Sequence, residues 1–485
     1  MHFSSIAHVM GLLLIVTGFS MAFPVACSIF YQESDLIPLL YAVAICLGIG
    51  FPTFFIFRKN NDLAIKDGFF IAVFGWIVVS AFSAIPFILH GSIPSFTDAF
   101  FEMISGYTTT GATTLSDIEV VPHGLLFWRS QTHFLGGMGF LTLAVIFLPH
   151  GMGGLRLFRA ESSPGQVITK DKFKPRNRDT MVMLWWIYIG LNTTQIILLT
   201  LGGMPLFDSF CTAFGTVSTS GYSTRNASIG AYNSAYIDWV VILFMLLGGL
   251  SFILIYQVVR GDIKALKINT ELRWYLGFIL FFCGAITIIL WTKGTYSSLV
   301  DALRYGTFQI MSLLTTTGFG TADYELWPHS AKMLLFVVCF IGACAGSTTS
   351  GIKVVHYVII CKYMYASVRK IFFQPMAVVS IRLNGRTIDE DIINLALFYF
   401  IINIFMVLIG GFIMTLTDNI DYSSAMSSVI SALMNIGPGF GKVGPSHNFA
   451  FISDTGKWFL SWNMLVGRLE MFSALVVFFP SFWEK

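Results

Sequence analysis

The chain has 485 residues, of which 55% are hydrophobic, 16% aromatic and only 11% charged, and its mean hydropathy is +0.74. That is too little polar surface to coat a soluble globule of this size, which excludes water-soluble classes and points to a polytopic membrane protein. The net charge of +3 decides little, because orientation in a bilayer follows where Lys and Arg fall along the chain rather than their sum.

The first apolar run, 6–30, lacks a basic leader and is long enough to span, so it reads as a retained helix with no cleaved targeting peptide. Further runs of spanning length lie at 37–57, 68–90, 124–148, 180–202, 236–259, 272–292, 331–362, 391–415 and 457–480, which predicts ten spans. Basic residues collect in alternate connections: Arg58, Lys59 and Lys66; seven from Arg156 to Arg178; four from Arg260 to Arg273; six from Lys353 to Arg386. With Lys485 these hold 21 of the 29 Lys and Arg, so they are expected to be cytoplasmic, as are both termini. Seven cysteines (Cys27, Cys46, Cys211, Cys283, Cys339, Cys344 and Cys361) lie in or beside apolar segments without metal-ligand spacing and read as small core residues.

The opposite connections are long and poor in charge, and they carry one pattern four times: FFEMISGYTTTGATT, FCTAFGTVSTSGYST, FQIMSLLTTTGFGT and MSSVISALMNIGPGFG. Each has an apolar run, a short polar segment and then Gly111, Gly221, Gly318 or Gly437, at spacings of 110, 97 and 119 residues, with one span on either side. The chain therefore reads as four tandem helix–loop–helix units behind two extra helices, with boundaries at 1–66, 67–156, 157–262, 263–372 and 373–485. An apolar run of about eleven residues rises only about 16 Å as a helix, half of a hydrocarbon core of about 30 Å, so it enters the membrane and turns back. Backbone that turns at that depth needs its carbonyls satisfied by protein or by something in a watery cavity, and an ion is the natural candidate. The helix C-terminus aims partial negative charge at the membrane centre, and glycine lets successive carbonyls line a narrow path. A single threonine in such a place has an ordinary reading too, a hydroxyl bonded to its own helix turn.

Four such loops around one axis match the way potassium channels replace an ion's hydration shell. On these motifs the sequence resembles the Trk/Ktr/HKT superfamily of potassium-translocating proteins over residues 68–485, and the two leading helices are typical of its Trk branch. The resemblance implies an all-α polytopic membrane protein of four helix–pore loop–helix units around a central pore, moving K+ across the bacterial inner membrane. It places a selectivity filter at Thr109, Thr110 and Gly111; Thr219, Ser220 and Gly221; Thr316, Thr317 and Gly318; and Asn435, Ile436 and Gly437. Ile436 and Pro438 make the fourth unit the most divergent, so four-fold symmetry is broken.

The second helix of unit three should run through 331–362, yet its centre is GACAGSTTSG at 342–351, a poor helix interior. An unwound intramembrane loop is expected there, containing Gly342, Gly346, Ser347, Thr348, Thr349, Ser350 and Gly351; close helix packing through Gly342 and Gly346 is the competing reading. The resemblance implies that this loop is a gate. Arg468 falls inside the last span, where a charge usually faces an aqueous path, with an ion pair to a neighbouring helix as the alternative. Glu470, two residues on, should lie on another helix face. Asp98, Glu102, Asp117 and Glu119 belong near the outer mouth, where they would concentrate cations or simply be solvated.

Gly439, Gly441 and Gly444 fit GxGxxG within GPGFGKVG, but neither a strand nor an amphipathic helix flanks them, and Val443 after Lys442 rules out a P-loop. HExxH and GxSxG are absent from the sequence, so an enzyme is not expected. An ion-coupled symporter (sodium or proton) is the alternative mechanism, although its repeats are commonly inverted; a non-transporting scaffold leaves the four loops unexplained. No resident cofactor and no nucleic acid partner is expected; K+ is the cargo and membrane lipid the surroundings. The cytoplasmic connections are too short for a nucleotide-binding domain. The resemblance accordingly implies a homodimer and a separate nucleotide-binding regulatory subunit resembling TrkA, docked on the basic face of 156–178 and 362–386.

Overall fold

The computed structural model describes residues 1–58, 63–139, 177–372 and 381–484. Among them, six helical stretches are long and apolar enough to cross a membrane: Phe3–Tyr31, Leu36–Ile56, Lys66–His90, Met181–Leu201, Thr270–Thr292 and Glu390–Asp418. The two leading ones pack closely, because a Cβ on Gly11 would lie 2.7 Å from the Phe54 nitrogen and one on Gly50 would lie 3.1 Å from the Gly11 oxygen. The other four are the first helices of the four units.

A short helix follows each of them: Phe96–Tyr107, Leu206–Val217, Leu299–Leu314 and Tyr422–Met434. Their starts are written in the sequence. Ser95, Ser298 and Asp421 accept from backbone N–H groups of the first turn, and Pro205 precedes the second short helix. At 12 to 16 residues these helices reach only about 18–24 Å, too short to cross.

The second helices depart from expectation. The sequence predicts an interruption in unit three alone, yet all four stop partway: His123–Gly137, Ala235–Gly248, His329–Val338 and Asp454–Arg468. Unit two resumes as Phe252–Val259 after a 101° bend, unit three as Val354–Phe372 and unit four as Phe472–Leu475. The breaks explain why ten predicted spans become six straight ones. Glycine marks three of the four breaks for a steric reason: a Cβ on Gly136 would strike the Tyr107 carbonyl, one on Gly467 the Leu433 carbonyl, and one on Gly248 would sit 3.2 Å from the Val217 carbonyl. Three second helices thus turn where they pass the C-terminus of their own short helix.

A two-stranded hairpin, Arg382–Leu383 with Arg386–Thr387, was not expected in an all-helical chain. Its signal is Asn384-Gly385, both at positive φ (50° and 79°), the pair a two-residue type I′ turn requires. Asn384 accepts from the Thr270 N–H at 2.8 Å and so fixes the start of unit three's first helix. Lys66 donates to the carbonyls of Ser481 and Glu484, which puts the start of unit one beside the C-terminus.

Candidate functional site

All four short helices end in the same motif. Thr109, Thr219, Thr316 and Asn435, each two residues before a unit's glycine, adopt left-handed φ of 57°, 58°, 54° and 54°. The next residue then donates back to the helix: Thr110 to Ser105, Ser220 to Gly215, Thr317 to Ser312 and Ile436 to Ser431, at 2.7–2.9 Å. This is the Schellman ending, normally closed by glycine, and a β-branched residue there costs about 1–2 kcal/mol. Asn435 is a residue type that tolerates the conformation, so the unit whose letters diverge most keeps the backbone at less strain.

The glycines close a ring. Gly111, Gly221, Gly318 and Gly437 have φ of 83°, 79°, 81° and 100°. A Cβ on Gly111 would collide with the Ser220 carbonyl, on Gly221 with that of Thr317, and on Gly318 with that of Ile436; on Gly437 it would lie 2.8 Å from that of Thr110. Each unit's glycine therefore abuts the preceding-residue carbonyl of the next unit, in the order one, two, three, four and back to one. Asn435 Nδ2 reaches Thr110 Oγ1 at 2.8 Å across the last of these contacts.

Three of the four units add a hydroxyl pair. Thr108 donates to the Ile104 carbonyl and bonds Thr110 at 2.8 Å; Thr315 donates to Met311 and bonds Thr317 at 2.7 Å; Ser218 and Ser220 repeat the arrangement. The ordinary reading of one threonine, a bond to its own turn, thus holds for the first of each triplet. Unit four has Met434 and Ile436 at these positions, so both hydroxyls are exchanged together and neither is stranded. Thr315→Val is accordingly expected to cost about 1 kcal/mol, while Thr315→Val with Thr317→Val costs less than the two singles combined, a coupling of about 0.5–1.5 kcal/mol. Denaturant unfolding of the four proteins in detergent measures it, and additive costs would refute the pair.

Below the ring, residues 339–353 leave the helix. Gly342 donates to Ile352 at 2.9 Å and Val354 to Ala343 at 3.0 Å, which closes the neck of a loop. Its tip meets the bases of units two, three and four. Thr348 Oγ1 lies 3.4 Å from that of Thr219, Ser350 N donates to Thr316 Oγ1 at 3.2 Å, and a Cβ on Gly351 would be 3.6 Å from Met434 Sδ. Arg468 completes the set: it donates to Thr109 Oγ1 at 3.1 Å, to the loop's Thr348 carbonyl at 2.9 Å and Ser350 hydroxyl at 3.3 Å, and to the Gly136 and Gly137 carbonyls. It is the last residue of its helix, and its side chain is only partly buried. Glu470 follows the helix end at φ 49°, so helical spacing does not set its direction.

The loop is also tethered from the side, through residues the sequence reading passed over. Glu271 accepts from the Ala345 N–H at 2.7 Å, and Lys353, counted above among cytoplasmic charges, is buried and donates to Thr349. Cys344 donates to Gly249 and Phe252 to Gly346, both at 3.0 Å, so the bend of unit two clasps the loop. Charges beside apolar runs were the available signal, the one that drew attention to Arg468.

The outer acids also differ from expectation. Glu102 is fully buried and paired with Arg129 at 2.6 Å, because it sits on the inner face of its short helix rather than in solvent. Asp98 pairs with Lys457 at 2.6 Å, Glu119 lies 3.9 Å from Arg225, and Asp117 accepts from Asn226. Gly439, Gly441 and Gly444 form a short turn, with Gly441 donating to Glu325 at 2.9 Å. The basic stretch through residue 176 and residues 373–380 lies outside the described residues.

A family model described as TrkH, cation transport protein, matches residues 39–485. The chain belongs to the TrkH family. The Trk system potassium uptake protein TrkH of Salmonella typhimurium is 36% identical over 491 residues, covering all of both chains, and that of Escherichia coli K12 matches equally. The Trk system potassium uptake protein TrkG of Escherichia coli K12 is 34% identical over 490 residues, all of this chain and 99% of that one. The crystal structure of the potassium transporter TrkH from Vibrio parahaemolyticus superposes with a TM-score of 0.89 at 30% identity, covering all of both chains. The chain is thus a polytopic all-α membrane protein of a transport family rather than an enzyme family.

Proposed function

We propose that this TrkH-family chain takes up K+ across the bacterial inner membrane through a channel-like path, with both termini cytoplasmic. The ring of four glycines, each against the next unit's carbonyl, carries the reading: it brings a backbone oxygen from every unit together, to stand in place of water around a dehydrated cation. In this reading the filter comprises Thr109 to Gly111, Thr219 to Gly221, Thr316 to Gly318 and Asn435 to Gly437, within units bounded as given above. The loop at 342–351 and Arg468 form the gate, because both lie directly beneath the ring and put a cation and a backbone plug in the ion's way. A homodimer and a TrkA-like nucleotide-binding subunit on the basic face complete the system, in keeping with relatives named as parts of a Trk system.

Rubidium and sodium flux into liposomes holding the purified chain tests the pore. Rubidium uptake down its own gradient, without a sodium or proton gradient, is the expected result; uptake that requires either gradient makes the chain a symporter instead. Deletion of Ser347, Thr348, Thr349 and Ser350 tests the gate, since the bonds at Gly342 and Ile352 hold the neck without the tip. Partner-free flux should rise. Unchanged flux in a folded protein would show that the loop is not rate-limiting.

A further inference from the structure

Behind the ring, between units one and two, lies a buried charge pair that the conduction path does not use. Glu102 and Arg129 are 0% and 1% exposed and meet at 2.6 Å. The carboxylate also accepts from the Thr114 N–H at 2.8 Å and the Thr113 hydroxyl at 2.9 Å, so it holds the strand that leaves Gly111. Arg129 reaches the other way and donates to the Ser223 carbonyl, two residues past Gly221, at 3.1 Å. Its guanidinium lies 3.4 Å from the centre of the Tyr222 ring. The Tyr222 hydroxyl then returns to unit one, 2.6 Å from the Glu102 carbonyl and 3.2 Å from that of Ala112, the residue after Gly111.

One ion pair therefore grips both strands that rise from adjacent filter glycines. The arrangement is local to this side of the ring: at the position of Glu102, nine residues before the glycine, the other units carry Thr212, Gln309 and Ser428, and at that of Tyr222 they carry Ala112, Phe319 and Pro438. A ring of carbonyls rejects a smaller cation only while it cannot contract around it. A charge pair removed from water and bonded on every side resists such movement, since any displacement exposes an uncompensated buried charge.

We infer that Glu102, Arg129 and Tyr222 form a positioning clamp that fixes the separation of the first two filter strands and thereby sets the discrimination between K+ and smaller cations. The inference rests on the filter reading above. Tyr222→Phe removes one hydroxyl and keeps the ring under Arg129. In liposomes it should raise sodium permeation relative to rubidium roughly 5- to 10-fold, the factor that one net hydrogen bond is worth, with yield kept and melting temperature lowered by no more than the loss of that one bond accounts for. Glu102→Gln should shift the ratio in the same direction, and adding Arg129→Gln, which removes the stranded charge, should bring it part of the way back. A merely structural role would move melting temperature and leave the ratio alone. Gly111→Ser, measured alongside, separates the two ideas: a ratio altered by Gly111→Ser but not by Tyr222→Phe or Glu102→Gln overturns the clamp and leaves the filter standing, whereas three unchanged ratios overturn both.

Discussion

Arg468→Ala is expected to conduct about tenfold faster than the unaltered chain while remaining folded. A cation at 4–6 Å from a permeating ion in a partly hydrated path raises its barrier by about 1–4 kcal/mol, and about 1.4 kcal/mol, within that range, already gives a tenfold change in rate. The side chain also ties the loop at 342–351, through Thr348 and Ser350, to Thr109 and to the Gly136 and Gly137 carbonyls. Its loss therefore removes charge and loosens that loop together. These acceptors are neutral carbonyls and hydroxyls, so the expected cost in stability is about 1–3 kcal/mol. Were Arg468 chiefly half of a buried ion pair, its removal would cost about 3–5 kcal/mol and gain no flux. Rubidium uptake and melting temperature measured on one preparation distinguish these outcomes, and a destabilised mutant without faster uptake refutes the gating role.

Gly111→Ser and Gly318→Ser should each lower rubidium-over-sodium discrimination by about tenfold or more, the equivalent of about 1.4 kcal/mol. The added Cβ has nowhere to go, since it would fall on the carbonyl of Ser220 or Ile436, and at φ of 83° and 81° a side chain is strained in any case. The ring must splay, turning an oxygen away from the path. Because the surrounding helices bury far more surface than the four loops, the mutants are expected to insert and fold. Equal permeability ratios in the mutants and the unaltered chain would remove the filter assignment.

The four-fold repeat was legible because Gly111, Gly221, Gly318 and Gly437 survive in register with the same flanks. Backbone conformation at a fixed position leaves a mark that length and hydropathy cannot blur. Unit four shows the limit of reading letters alone: Ile436 and Pro438 make it the most divergent, yet its Asn435 makes the same left-handed turn as the threonines of the other units. The breaks in the second helices of units one, two and four were not legible, because GGMG, LGGLS and VGRLE are short interruptions within runs whose hydropathy still fits a full span. Their cause is the approach of another helix end, a tertiary fact. Glu102 was misplaced for the same reason, since sequence gives its distance from Gly111 but not which face of the short helix turns toward Arg129.

A ring made by one chain also has a history, because its parts leave the ribosome in order. Unit one meets unit two, and unit two meets unit three, soon after each is made, but the contact of Gly437 with Thr110 waits for the end of synthesis. The bonds across that last join all come from late residues: Asn435 to Thr110, Phe449 to Thr113, Lys457 to Asp98 and Arg468 to Thr109. Until they arrive, the first loop sits in the bilayer with one side open. In the proposed pore, a chain that stops before Asn435 would therefore leave an unfinished arc rather than a ring with one weak wall, and carbonyls left facing hydrocarbon would cost several kcal/mol for each group without a partner.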